Sequence, residues 1–387
     1  MMYFDNAATT PLDPAVLDAM MPYLSESYGN AGASYALGRA SRDAVSHARD
    51  QVARFLRCRP EQVIFTSGGS EANSTVFFGL RHHLREHDKT HLLTSVTEHD
   101  SVRRAVEEMC IKDGFGAGYV GVNHKGVVSV NDLRASINDR TGLISVMYVN
   151  NETGAENPVE AIGKLCHEYH TLFMTDCVQA AGSRVLDVTG MGCDFLTVSS
   201  HKIHGPKGVG ALFAKDPSIL SPLICGGGMQ EHGLRGGTEN VPGIVGFGQA
   251  CELADMHFTE NAAHIATMRW LFYDALYAAL SSEAKGSILH LNGDPCGKIM
   301  NLRFDGVHGE TLLLMLDAYR VCVSSGSACR SHASEPSHVL TAMGLTAEEA
   351  ESSIRVSFSH MNTSDEVIDA ATILAHCVCT LSACHQC

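Results

Sequence analysis

Between residues 60 and 215 short β-branched runs alternate with helical patterns, and this alternation constrains the fold more than any other feature of the chain. The runs are Val63-Ile64-Phe65-Thr66, His91 to Ser95, Leu143 to Tyr148, Thr171 to Asp176, Phe195 to Ser199 and Gly210 to Ala214. Strands separated by helices need crossover connections, which predicts an α/β fold with a mostly parallel sheet covered by helices on both faces. Ligands on such sheets bind beyond the carboxyl ends of the strands.

Ahead of this region, Asp13-Pro14 supplies a cap and a first-turn proline for a helix to about Leu24. Ala40, Ala44, Val45, Ala48, Val52, Phe55 and Leu56 recur at helical spacing and predict a second helix. Past about residue 258 the pattern changes to a helix over His264 to Leu280, strands at Ile299 to Phe304 and Ile354 to Phe358, and a final helix after Asp365. A chain of 387 residues exceeds what one core usually organises. Two domains are expected, a large one over 13–257 and a smaller α+β one from 1–12 and 258–387.

Composition narrows the partners. The formal charge of −15 argues against a nucleic-acid or membrane-surface role, since both need a basic face. No run of about 18 apolar residues is present to span a bilayer. Met1-Met2-Tyr3-Phe4-Asp5 lacks the basic and apolar regions of a leader, so a cytoplasmic location is expected. Fourteen scattered cysteines then read as reduced thiols, most of them buried as small hydrophobes.

Three segments carry chemistry. Ser199-Ser200-His201-Lys202-Ile203-His204-Gly205-Pro206 follows a strand, and a lysine flanked by hydroxyls and followed by glycine suits a Schiff-base amine near a phosphate. A solvated lysine in a Gly-Pro turn is the plainer alternative. Thr66-Ser67-Gly68-Gly69-Ser70-Glu71-Ala72-Asn73 runs from a strand into a helix start, where unpaired N–H groups favour phosphate, although many such turns are only tight turns. Met174-Thr175-Asp176-Cys177-Val178-Gln179 ends a strand with a carboxylate able to hold a pyridine nitrogen protonated, or simply to cap a helix.

With Thr97-Glu98-His99 and Tyr148-Val149-Asn150-Asn151-Glu152-Thr153-Gly154, these pieces resemble the cysteine desulfurases among the fold-type I enzymes that use pyridoxal 5′-phosphate. The NifS and IscS branch is the nearest match, through Phe4-Asp5-Asn6-Ala7-Ala8-Thr9-Thr10-Pro11, Arg235-Gly236-Gly237-Thr238-Glu239-Asn240, Ser324-Ser325-Gly326-Ser327-Ala328-Cys329 and Ile354-Arg355-Val356-Ser357. The resemblance implies that Lys202 carries the cofactor and Asp176 pairs with its ring nitrogen. It puts Gln179 and Asn151 on the ring-hydroxyl side and stacks His99 on the ring as a catalytic group. It gives the phosphate to Gly69, Ser70, Ser199 and His201, with Thr238 reaching the phosphate of a neighbouring subunit in a homodimer. Arg355, helped by Asn151, would clamp the substrate carboxylate with its bidentate fork. No metal site is implied.

Cys329 lies in a stretch of small and polar residues, about 324–336, that reads as a loop, with Arg330 and His332 as nearby positive charge for a thiolate. The resemblance makes it the thiol that takes sulfur from L-cysteine as a persulfide, releases alanine and passes the sulfur to an iron–sulfur scaffold protein or another acceptor. Its loop length matches the branch that favours L-cysteine over selenocysteine. Alternatives are a selenocysteine lyase, another lyase or aminotransferase on the same cofactor, or a non-catalytic sulfur carrier. Against the last stands Lys202 together with Asp176 and Arg355, which a binding module does not need.

The chain departs from the family pattern twice. It reads Asn30-Ala31-Gly32-Ala33-Ser34-Tyr35 where Asn-Pro-Ser-Ser-x-His is common, which puts the substrate entrance in question. Its end carries Cys377, Cys379, Cys384 and Cys387, expected to follow the last helix as a frayed, thiol-rich tail, with metal binding or sulfur relay as the alternative.

Overall fold

A computed structural model of the chain describes residues 1–227, 230–282, 288–294, 297–325 and 336–384. At its centre is a seven-stranded sheet in the spatial order Val63–Thr66, Gly210–Ala214, Phe195–Ser199, Leu172–Asp176, Thr141–Ser145, His91–Ser95, Gly116–Val120. Gly210–Ala214 runs antiparallel to both of its neighbours, and the other pairs are parallel.

Side chains alternate across this sheet, as strand geometry requires. Ile144, Phe173, Leu196 and Phe213 face a core shared with the helices Ala36–Leu56, Val159–Glu168 and Val241–Met256. Leu143, Met174, Phe195 and Leu212 face another, packed by Gly69–Gly79 and Asp100–Asp113. A sheet buried on both faces explains why its strands read as continuous apolar runs.

A further buried cluster joins Phe4 to Phe272, Phe304, Phe358 and Leu374. It is built on the antiparallel strands Ser353–Ser357, Ile299–Phe304 and Leu289–Leu291, under the helices Phe258–Ser282, Gly309–Ala318 and Ser364–Cys384. The N-terminal segment belongs here: Met2–Tyr3 pairs with Val321–Cys322, and Asp5 bridges to Ser357.

One reading of the C-terminus is corrected, and Cys387 lies outside the described residues. Cys377 and Cys379 do not follow the last helix but lie within Ser364–Cys384, and Cys377 is fully buried in the cluster, as its apolar neighbours at helical spacing require. Among the described residues no group of metal-ligating side chains forms there. Over Ser364–Ala383 this helix is also long and apolar enough to cross a membrane, a property the search for unbroken apolar runs passes over. Val367, Ala370, Ala371, Leu374, Ala375 and Val378 are all buried against the cluster, which accounts for that apolarity.

Candidate active site

Three strand ends deliver the site to the carboxyl edge of the sheet. After Thr66 the chain turns through Gly68, whose φ of 149° suits only glycine, into the helix Gly69–Gly79. A Cβ at Gly69 would meet Val178 Cγ2 at 2.7 Å, so this backbone lies close against the turn that follows Asp176. Leu172–Asp176 ends in Asp176, whose Oδ2 accepts from Asn73 Nδ2 and whose Oδ1 accepts from Val178 N, at 2.8 and 2.9 Å. Asn73 is itself fixed, because its Oδ1 accepts from Thr197 Oγ1 at 2.7 Å on the neighbouring strand.

Phe195–Ser199 leads into the short turn Ser200–Lys202. Lys202 Nζ donates to the carbonyls of Ala7 and Ala8, each at 2.6 Å. Gln179 Nε2 donates to the same Ala7 carbonyl at 2.8 Å, while its Oε1 is buried with no hydrogen-bond partner among the described residues. His201 Nδ1 lies 3.1 Å from Thr9 Oγ1, and burial together with Lys202, Lys298 and Lys207 pushes its pKa down to about 4. It is therefore neutral at physiological pH.

A cavity of about 310 Å³ brings these groups together: Gly69, Ser70, His99, Asn151, Asp176, Gln179, Ser199, His201, Lys202 and Arg355 all line it. That volume and mixed lining suit a cofactor-sized ligand. His99 caps the helix Asp100–Asp113, its Nδ1 accepting from Ser101 N at 3.1 Å, so the ring has a structural task as well as a place on the wall. Thr238 is exposed and does not line this cavity. Residues 30–35 do not line it either. Cys329 lies outside the described residues. The residues on either side of its segment reach the site, since Ser324 pairs its backbone with Arg355 and Ser337 and His338 line the cavity.

Arg355, 3% exposed, is oriented from two sides: Nη1 donates to Asn151 O and Nη2 to Asp5 Oδ1, both at 2.8 Å. Its Nε is buried without a partner among the described residues.

Sequence reasoning assigned no role to several residues now seen around the site. Asn73 and Asp5 orient its charged groups. Glu98 is fully buried below the cavity, accepting from Met147 N at 2.9 Å, and burial, with a smaller push from Asp176, raises its pKa to about 8. Glu98 O accepts from His338 Nε2 at 3.1 Å, and Ser337 Oγ donates to Glu152 Oε2. Lys298 sits behind Lys202, and the one available signal was a lysine opening the apolar run Ile299–Phe304.

Residues 2–369 match the model of the family described as aminotransferase class-V. A cysteine desulfurase IscS of Methanosarcina thermophila is 40% identical over 369 residues, covering 95% of this chain and 89% of that one. A solved NifS-like protein superposes with a TM-score of 0.89 at 31% identity, covering 97% and 98% of the two chains. A structure described as SspA in complex with cysteine gives 0.79 at 33% identity, over 94% and 100%. Agreement of this order over nearly the whole length, in sequence and in fold, is shared ancestry, and the chain belongs to the cysteine desulfurases of the aminotransferase class-V family.

Proposed function

We propose that this chain holds pyridoxal 5′-phosphate on Lys202, takes sulfur from L-cysteine onto Cys329 and hands it to an acceptor protein. The observation that carries the proposal is convergence: an amine, a fixed carboxylate and a glycine-opened helix start, from three strand ends, meet in one cavity.

The residues fit the cofactor. Among the described residues the buried Gln179 Oε1 has no partner, the helix start at Gly69 offers N–H groups to a phosphate, and Asp176 is oriented before any ligand arrives. Bound there, the cofactor supplies an aldehyde for the lysine and a ring that takes up the electron pair left at the substrate Cα.

Gly69, Ser70, Ser199 and His201 hold the phosphate, with Thr238 of a second copy completing it in a homodimer. Asp176 holds the ring nitrogen's proton. His99, Gln179 and Asn151 set the ring's position, and Arg355 binds the substrate carboxylate through its fork. The Lys202 amine moves the proton at the substrate Cα. The Cys329 thiolate attacks the substrate sulfur, the carbon–sulfur bond breaks, carbon takes a proton and leaves as alanine, and the enzyme keeps the sulfur as a persulfide. The similarity to a protein solved with cysteine supports this substrate. The acceptor is an iron–sulfur scaffold protein or another sulfur carrier, met in the cytoplasm. The separate buried clusters support a division into 13–257 and 1–12 with 258–387.

Borohydride reduction of the yellow holoenzyme followed by peptide mapping tests the cofactor site, and an adduct on any residue but Lys202 defeats it. Cys329→Ala is expected to keep the visible absorbance and bind L-cysteine while forming no persulfide. Persulfide at the wild-type level in that variant moves the chemistry to another thiol.

A further inference from the structure

Lys202 lines a second cavity besides the one described, of about 450 Å³, whose wall also carries Lys298, His204 and His360. Lys298 immediately precedes the strand Ile299–Phe304, where its carbonyl accepts from Phe358 N at 2.8 Å. The residue is 6% exposed, and its Nζ donates to the Lys202 carbonyl at 2.9 Å. Among the described residues no carboxylate forms an ion pair with it; Lys202 and Arg355 are the cations beside it, and Asp13, Glu260, His204, His257, His264 and His360 share its cavity wall. Burial and those two cations bring its pKa from 10.5 down to about 7. An ammonium buried without a counter-ion is costly, so a residue of this kind either serves a function or destabilises the fold for nothing.

At Lys202 two effects oppose each other. The Ala7 and Ala8 carbonyls accept from Nζ and favour the ammonium, whereas a cation behind the same residue favours the neutral amine. Only the neutral amine attacks an aldehyde. The other groups facing Lys202 around its cavity are His201 in its own turn, Asp176, Arg355, His99 and Asp100 at the helix start, and Glu152 and His338 opposite. Of the cations nearby, Arg355 is paired with Asp5, and His201 carries no charge at physiological pH.

We propose that Lys298 is a positioning residue for Lys202, pinning the turn through the Lys202 carbonyl and setting how readily the Lys202 nitrogen gives up its proton. The inference rests on the reading of Lys202 as the cofactor lysine.

The test is a pH titration of the visible absorbance of the holoenzyme, with thermal unfolding and cofactor content measured on the same samples. Lys298→Met removes the charge at nearly constant length, and the absorbance midpoint moves upward by about one pH unit, the scale of a lost like-charge neighbour. Lys298→Gln keeps a donor for the carbonyl and shows the same upward shift, which separates charge from hydrogen bond, while Lys298→Arg returns the midpoint toward wild type. Below about pH 7, where Lys298 carries its charge, both neutral variants unfold at or above the wild-type temperature, because an uncompensated charge has gone. Neutral variants with full cofactor and an unmoved or lowered midpoint overturn the inference. A wild-type protein without visible absorbance, or with its adduct away from Lys202, defeats the cofactor assignment instead.

Discussion

The Asp5 carboxylate lies 2.8 Å from Arg355 Nη2, so the guanidinium expected to grip the substrate is itself gripped by the N-terminal segment. With the Asn151 carbonyl on Nη1, this contact fixes the plane of the fork. Asp5→Ala releases one side of it. A charge-assisted hydrogen bond of this kind is worth about 1.4 kcal/mol or more, so the KM for L-cysteine is expected to rise roughly tenfold or more, with kcat changing less. Steady-state alanine release measures both, and an unchanged KM would show that Arg355 holds its orientation unaided.

Asn73 ties together the carboxylate of Asp176, the hydroxyl of Thr197 and that of Ser101. Asn73→Ala strands buried partners, a loss of about 1–3 kcal/mol. The expected result is a lower unfolding temperature and weaker retention of cofactor on dialysis, read by calorimetry and by absorbance. Retention at the wild-type level would mean that Val178 N alone orients Asp176.

Glu98 makes stability depend on pH in a stated direction. Its folded pKa, about 8, lies above its ordinary 4.5, so between those values the folded chain binds a proton that the unfolded chain has lost. Stability contributed by that proton is full below pH 4.5 and is lost progressively until about pH 8. Glu98→Gln mimics the protonated form at every pH. Its stability relative to wild type is expected to grow over this window and then level off, as chemical unfolding at several pH values would measure. A constant difference would show that Glu98 does not titrate within that range.

The C-terminal cysteines lead to a prediction about folding and not about metal. Deleting 377–387 removes Cys377 and Val378 from a closed core, where each buried apolar side chain of valine size contributes about 1.5–3 kcal/mol. That truncation is expected to lower the unfolding temperature sharply. Unchanged stability of the truncated chain would return the cysteines to a peripheral tail.

Much of this was legible in the sequence because it is local. Val63–Thr66, His91–Ser95, Phe195–Ser199 and Gly210–Ala214 match their apolar runs residue for residue, and the Asp13 cap and Pro14 mark a helix start through nearest-neighbour chemistry. Gly116–Val120 was invisible because two of its five residues are glycine and it lies at a sheet edge, where no continuous apolar run is required. Lys202, Asp176 and Gly69 announced themselves by standing at strand ends. Asn73, Asp5, Glu98 and Lys298 did not, because their roles are set by partners distant in the chain or by burial, and neither leaves a local pattern. His99 was read as a ring-stacking group, and the structure adds that its Nδ1 caps a helix, a task that no spacing rule separates from catalysis.

The N-terminal segment decides when, during synthesis, the contacts around Lys202 can form. Ala7 and Ala8 hold Lys202, Ala7 also holds Gln179, and Asp5 holds Arg355 across 350 positions of sequence. Residues 5 to 8 leave the ribosome first but find their strand partner Ser357 only after nearly everything else has been made. Contacts this distant form late, because closing so long a loop costs entropy before any contact repays it. A nascent chain stopped short of the strand Ser353–Ser357 would already contain Lys202, Asp176 and Gly69, yet would lack the lid of backbone carbonyls that aims the lysine. The contacts that aim Lys202 and Arg355 thus form only on the nearly completed chain.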